Sequence, residues 1–358
     1  MMTSTFLGYE RKLLVTHELD DLTGLVPSRA PRRSTPSGRV SMAQVAARAG
    51  VSGQTVSRVV NASPRVDPAT RAKVERAMAD LGYRPHRAAR ALRTGRTNTI
   101  GIVAQSLATV GNSRMLQAVA EHAASRDYAL TVVTGAASVS DAFVRLQDQG
   151  VDGAIVLNEA AAVTRAADRP AGLRLVVVDA AEDRGIRTVR SDHAGGAAAA
   201  TRHLLGLGHA TVHHVAGPVD SFAAAARARG WRDALAEAGA EVPEPVRGDW
   251  SAASGHAAAA GLGEATAVFA ANDQMALGVL RALAEAGRRV PQDGSVGGCD
   301  DVPEAADYLP PLTTVRQDFT ALAAAAVELL VADIEESEGA AETLIPTSIV
   351  VRASTAGR

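Results

Sequence analysis

A small all-α module followed by a two-lobed α/β body with parallel sheets is the fold class this sequence predicts. Its 358 residues are too many for one small core. At Ser41 apolar residues begin to recur at helical spacing, in three short blocks. From Thr99 the pattern changes to short apolar runs alternating with amphipathic or alanine-rich segments, the signature of parallel strands covered by helices on both faces.

Residues 1–40 show no sustained periodicity. They end in a run from Pro27 to Gly38 dense in Pro, Ser and Arg, expected as a disordered extension. Ser41 with Gln44 forms a capping-box pattern, and Met42, Val45, Ala46 and Ala49 follow on one helical face. Gly50 breaks that helix. Ser52 caps a second, which carries Val56, Val59 and Val60. Asp67 and Pro68, a cap and a first-turn proline, open a third with Val74, Met78 and Leu81, and Gly82 ends it. Residues 41–84 therefore read as one three-helix domain, 85–98 as a short helix and linker, and 99–354 as the body. Strands are expected at 100–104, 130–134, 154–157, 175–179, 212–216, 267–271 and 295–299. Helices are expected at 114–126, 195–206, 223–237, 273–286 and 319–335. A ligand cleft belongs near the carboxyl ends of such strands. No internal sequence repeat stands out.

The chain is 47% hydrophobic, lacks a run of about 20 apolar residues and has no apolar leader near its acidic N-terminus, so neither a membrane span nor a secretory signal is expected. It reads as cytoplasmic. Cys299 is the sole cysteine, which excludes an internal disulfide and a Cys-rich zinc site. Between Arg39 and Asn98 stand twelve Lys or Arg against three carboxylates, a local +9 that leaves −11 for the rest of a chain with net charge −2. A basic module on an acidic body points to a polyanion partner for the module alone; a solvated charged face has the same composition.

On the second helix Gln54, Thr55, Ser57 and Arg58 lie away from the valines. Arg and Gln suit the edges of guanine and adenine, while Ser, Thr and Asn61 suit phosphate contacts. An ordinary surface helix hairpin would have the same geometry. Ala88 and Leu92 lie one helical turn apart among Arg87, Arg90 and Arg93. So short a helix is marginal in water and forms only on a partner, where Leu is a side chain able to wedge open a base step; a flexible linker is the alternative.

In the body no Walker loop, G-x-S-x-G elbow or H-E-x-x-H pair occurs, so no catalytic residues, metal or cofactor are expected. His209, His213 and His214 read as structural, with no ligand set around them. Polar residues gather instead at strand ends: Asp179, then Asn272 with Asp273, then Asp300 with Asp301. These suit a neutral polyol and would repel an acidic ligand, and Trp250 could cover the apolar face of a sugar ring. Each of them taken singly is equally a cap or core filler.

The runs from Met42 to Asn61 and from Val66 to Pro85 closely resemble the headpiece of the lac repressor (LacI/GalR) family of transcriptional regulators. The similarity continues through Arg227-Ala228-Arg229-Gly230-Trp231, Gly248-Asp249-Trp250-Ser251, Ala271 to Gly278 and Pro310 to Phe319, closer to the lactose-type than to the purine-type branch. The resemblance implies a helix-turn-helix domain on a periplasmic-binding-protein-like body, joined by a hinge helix in which Leu92 is the wedge. It implies Gly53, Gln54 and Arg58 at the base-reading positions of double-stranded operator DNA; Gly53 lacks the side chain for one contact. It also implies sugar contacts at Asp179, Arg227, Trp250, Asn272 and Asp300, with Gln317 and Phe319 lining the pocket. The expected protein is a repressor released allosterically by a galactoside or similar sugar.

Four departures from the family stand out. His86 replaces a small polar residue at the start of the hinge. Gln105, Thr109 and Asn112 match poorly at sugar-selecting positions. Gly297 and Cys299 replace bulkier residues and predict a wider pocket wall beside Asp300. The chain stops at Arg358 without leucine heptads, which by family logic gives a homodimer. Three rivals remain in view. A free sugar-binding protein conflicts with the fused headpiece. A nucleotide-binding enzyme lacks a glycine-rich loop after its first strand. A regulator that takes a nucleobase or other metabolite as corepressor stays open.

Overall fold

The computed structural model describes residues 40–61, 63–83, 95–157, 172–180, 187–337 and 343–358. The chain divides into two units, one ending at Pro85 and the other beginning at His86. The expected N-terminal extension up to residue 39 and the segment 84–94, which holds His86 and Leu92 of the expected hinge helix, lie outside the described residues.

The first unit contains α1 (Met42–Ala49), α2 (Gly53–Val60) and α3 (Pro68–Leu81). Each helix begins on its expected cap. Ser41 accepts from the Gln44 N–H, and its own N–H donates to Gln44 Oε1 at 2.7 Å, completing the capping box. Ser52 and Asp67 accept from the N–H groups of Thr55 and Thr70. Gly50 and Gly82, both left-handed, close α1 and α3. The core is small: Val45, Ala46, Val56, Val59, Val74 and Ala77, rimmed by Met42, Met78, Leu81 and Tyr83. With so little apolar area, caps worth about 1 kcal/mol each are a substantial share of the stability.

The second unit holds two sheets. In the first lobe β1 (Thr99–Ala104), β2 (Ala129–Thr134), β3 (Gly153–Leu157), β4 (Arg174–Val178), β5 (Arg187–Ser191) and β11 (Thr343–Ile345) run parallel in the order β11-β5-β4-β3-β1-β2. In the second, β6 (His213–Ala216), β7 (Val246–Arg247), β8 (Ala267–Ala270), β9 (Ser295–Asp300), β10 (Thr313–Arg316) and β12 (Ser348–Val350) take the order β12-β10-β9-β8-β6-β7. Only the edge strand β12 is antiparallel there. The two lobes thus repeat one strand order that no sequence repeat betrays. The helices are α4 (Val110–Ser125), α5 (Val139–Asp148), α6 (His193–Gly206), α7 (Phe222–Glu237), α8 (Ala252–Ala258), α9 (Asp273–Glu285) and α10 (Phe319–Glu335). No helix among the described residues is long and apolar enough to cross a membrane.

The seven expected strands form within one residue of their expected ends. The helix expected from 114 begins at Val110, because the Thr109 side chain accepts from the Asn112 N–H and starts the helix a turn earlier. The strands β5, β7, β10, β11 and β12 and the helices α5 and α8 were not anticipated. Those strands are short, and four of the five carry Arg or Thr, so their apolar pattern is faint.

Two helices are exchanged between the lobes. The α6 helix leaves β5 of the first sheet but buries Ala197, Ala200 and Leu204 against Val212, Trp231, Phe269 and Val315 of the second lobe. The α10 helix leaves β10 of the second sheet but buries Leu322, Val327 and Leu330 against Ile100, Ile155 and Val176 of the first. The chain therefore crosses between lobes after β5, after β10 and between β11 and β12, and the first two crossings deliver side chains to the cleft.

His214 lies in the second core, stacked at 5.1 Å on both Trp231 and Phe269, its Nδ1 donating to the Phe269 carbonyl at 2.8 Å. Burial lowers its pKa to about 4. The ring is therefore neutral when folded, whereas the unfolded chain takes up a proton below the ordinary histidine range. Its contribution is complete above about pH 6.5 and is lost as pH falls toward 4, by on the order of 3 kcal/mol. Urea unfolding at pH 7 and pH 4.5 should show a smaller acid loss in His214→Phe than in the wild type; equal losses would exclude this residue as a source.

Candidate functional site

The seven expected ligand residues, Asp179, Arg227, Trp250, Asn272, Asp300, Gln317 and Phe319, all line one pocket between the two lobes. They are joined by Thr109, Met115 and His193. Asp179 follows β4, and its Oδ1 accepts from the Ser191 N–H at 2.9 Å and lies 3.0 Å from His193 Nε2. Burial pushes this carboxyl up, but His193, the Ser191 N–H and Arg227 together hold it below the usual carboxylate range. Asp300, at the end of β9, accepts from Gln317 Nε2 at 2.5 Å and from Arg227 Nη2 at 3.4 Å. Here burial wins over Arg227 and Gln317, and the carboxyl is raised. One pocket thus holds two carboxylates displaced in opposite directions, with a single buried guanidinium between them.

Arg227 projects from the middle of α7, donates to the Ala271 carbonyl and lies 5.6 Å from the centre of the Trp250 ring. The ring rests on Gly217, where a Cβ would stand 2.3 Å from its edge. Two buried donors, Trp250 Nε1 and Arg227 Nε, have no hydrogen-bond partner among the described residues, and an acceptor on a bound molecule would satisfy them. Asn272 caps α9: its Oδ1 accepts from the Met275 N–H, and its Nδ2 donates to the Trp250 carbonyl at 3.0 Å and to Gln274 Oε1 at 2.8 Å. Both of its amide hydrogens are engaged, so it secures the Trp250 loop. Phe319 opens α10 under the guanidinium of Arg114, 5.1 Å from the ring centre. Asp179, Trp250 and Asp300 have φ of +55°, +77° and +117°. Left-handed backbone at three non-glycine pocket residues is strain held by the surrounding fold, about 1–3 kcal/mol each.

The neighbouring strand-end carboxylates turn aside. Asp273 is buried behind the pocket, accepting from Thr314 Oγ1 and the Val302 N–H, and burial with Asp300 nearby raises it well above the usual range. Asp301 is taken by Arg316 and Arg352, each at 2.6 Å. The wider wall expected from Gly297 and Cys299 does not form. Cys299 packs into the core with Leu204, Trp231 and Phe269, and a side chain at Gly297 would face Leu204 and the backbone of β8 and β10. Of the three first-lobe positions, only Thr109 lines the pocket; Gln105 is exposed and Asn112 is buried, donating to the Ser106 carbonyl at 2.9 Å. His193 was missed. It stands beside the Asp192 cap of α6, and no pattern distinguishes it from a first-turn surface residue.

In the first unit Gln54 and Arg58 are exposed on α2, and their side chains make no hydrogen bond or ion pair among the described residues. Gly53 is exposed with no atom within 4 Å of a Cβ built on it. Thr55 and Ser57 are half-buried. Thr55 Oγ1 lies 2.9 Å from Ser52 Oγ, and Asn61 Nδ2 donates to the Ser57 carbonyl at 2.6 Å, so these three also fasten the ends of the helix. In the body, His209 bonds Thr266 and Ser295, and His214 is the core ring described above. Among the described residues no three His, Cys, Asp or Glu side chains converge as a metal site would require.

A three-helix module with a free Gln–Arg face, carried by the same chain as a two-lobed body with a polar pocket, defines a ligand-responsive DNA-binding regulator. Residues 41–86 match the profile "Bacterial regulatory proteins, lacI family", and residues 201–355 match "Periplasmic binding protein-like domain". The lactose operon repressor of Escherichia coli K12 is 37% identical over 332 residues, 88% of this chain and 91% of that protein. The solved lac repressor dimer bound to operator and the anti-inducer ONPF superposes with a TM-score of 0.79 at 35% identity, over 89% of this chain and 100% of that one. The complex of the transcriptional regulator CelR with cellobiose gives 0.66 at 33%, over 88% and 100%. The chain belongs to the lacI family of bacterial regulatory proteins. It is a transcriptional repressor with a sugar-binding effector domain.

The contact of Gly217 with Trp250 can be tested without a ligand. Gly217→Val should displace the ring and shift the protein's tryptophan emission, since the other tryptophan, Trp231, is fully buried and elsewhere. An unchanged spectrum would mean that the ring does not rest there.

Proposed function

We propose that the protein is a homodimeric repressor that binds double-stranded operator DNA through its helical module and releases it when a neutral sugar, foremost a galactoside, fills the interlobe pocket. The observation that carries this is the convergence of Asp179, Arg227 and Asp300 beside Trp250. Two carboxylates facing one guanidinium disfavour a phosphorylated or acidic ligand and suit the paired hydroxyls of a polyol. The indole supplies a flat apolar surface for one face of a sugar ring. The likeness to the lactose operon repressor supports a galactoside, and the cellobiose complex of CelR supports a sugar more generally.

On the DNA side Gln54 and Arg58 read base edges, Thr55, Ser57 and Asn61 set the register against phosphates, and Leu92 enters the minor groove from a hinge helix formed on DNA. Gly53 leaves one base unread. A two-fold dimer presents two such modules to a pseudo-palindromic site, and the protein works in the cytoplasm, where that DNA lies. Operator and sugar favour different lobe arrangements, so each weakens the other's binding. The relatives are transcriptional regulators, and no catalytic step is assigned.

The test is binding of the purified protein to labelled DNA upstream of its own gene, with and without a panel of galactosides and other sugars. Salt-sensitive binding released by one sugar is expected. In Arg227→Ala and Asp300→Ala, operator binding should persist while sugar affinity falls at least about tenfold, or about 1.4 kcal/mol. A normal response in Asp300→Ala, or binding strengthened by a nucleobase, would overturn this pocket assignment.

A further inference from the structure

His193 is the first residue of α6, the point at which the chain leaves the first sheet for the second lobe. The residue is 4% exposed, and its ring lies between pocket side chains of different lobes. Nδ1 is 3.3 Å from Arg227 Nη2, and Nε2 is 3.0 Å from Asp179 Oδ1. A guanidinium has only N–H groups to offer, so Nδ1 accepts and carries no hydrogen. A carboxylate only accepts, so the hydrogen sits on Nε2, although that contact is bent away from a straight hydrogen bond. Phe222 meets the ring edge-on at 6.5 Å. Arg227 and Gln317 both reach Asp300 Oδ1, so polar contacts run unbroken from Asp179 through His193, Arg227 and Asp300 to Gln317. His193 is the one link in this chain that spans from a first-lobe carboxylate to a second-lobe guanidinium.

We propose that His193 is the positioning residue through which pocket occupancy is passed between the lobes. A sugar that accepts from Arg227 and donates to Asp179 competes for both partners of the imidazole. Filling the pocket therefore loosens the tie that sets how the lobes lie, and this rests on the sugar-pocket reading above. Removing the polarity of the ring should then separate sugar binding from operator release. Glutamine is the discriminating replacement, since its amide offers one donor for Asp179 and one acceptor for Arg227. Phenylalanine keeps the bulk and the packing on Phe222 but offers neither.

Two measurements test this. Nitrogen NMR of the histidine-labelled, sugar-free protein, with the signal assigned by its loss in His193→Gln, should show the hydrogen on Nε2; a hydrogen on Nδ1 would overturn the geometry. The second is the ratio of operator affinities without and with the releasing sugar. His193→Gln should stay close to the wild-type ratio. His193→Phe should still bind operator, and at saturating sugar the ratio should fall toward one by at least about tenfold, within the usual range of such couplings. A wild-type ratio in His193→Phe, or equal losses in both variants, would refute the proposal. If no sugar released the wild type, the sugar reading of the pocket would fail, and the NMR result would still decide the His193 contacts by themselves.

Discussion

Arg227 carries a permanent charge with almost no access to water, and such a charge persists in a protein interior only when anionic groups are held against it. Asp300, which ends a strand of the second sheet, is held there directly, and Asp179, which follows a strand of the first, acts from the other side of the cleft through His193. Meeting that requirement constrains much of the body. The carboxylates must leave their strands at left-handed turns, the Trp250 loop must lie over a glycine, and the first turn of α6 must bring His193 between them. Such a cluster adds little to stability and a great deal to geometric definition.

The exchange of α6 and α10 links this cluster to both cores. Each lobe completes its core with a helix reached from the other, so the lobes are tied by three crossings while each core stays whole within its own lobe. Rigid-body adjustment about such crossings is a common way for a small local change to become a large one. The polar groups that would register a ligand sit at the crossings themselves: His193 where the chain enters α6, Gln317 and Phe319 where it enters α10.

The helical module follows a different logic. Its core is a handful of small side chains, and its definition comes from caps and two left-handed glycines. Thr55, Ser57 and Asn61 spend hydrogen bonds on the helix itself, which leaves Gln54 and Arg58 as the free polar groups of the face. A glycine at position 53 makes that face smooth at one end, and its positive surroundings in the sequence contrast with the acidic remainder of the chain.

The caps that open α1, α2 and α3, the seven stronger strands and seven of the pocket residues were legible in the sequence, because caps, periodicity and family motifs act over a few residues along the chain. The five weaker strands were not, because runs of two to five residues, most of them bearing Arg or Thr, form a strand only when a neighbour supplies the ladder. The family motifs singled out Asp179 and Asp300 among the strand-end carboxylates, and tertiary structure alone supplies the reason. Asp300 turns in and Asp301 turns out to two arginines, although the two are adjacent. It also decided that Cys299 fills a core and leaves the pocket wall unchanged, and that His193 joins the site. In each case the deciding partner lies on another element and often far along the chain, as Asp179 does from Arg227. Sheet order and backbone handedness bring such partners together, and no local pattern encodes either.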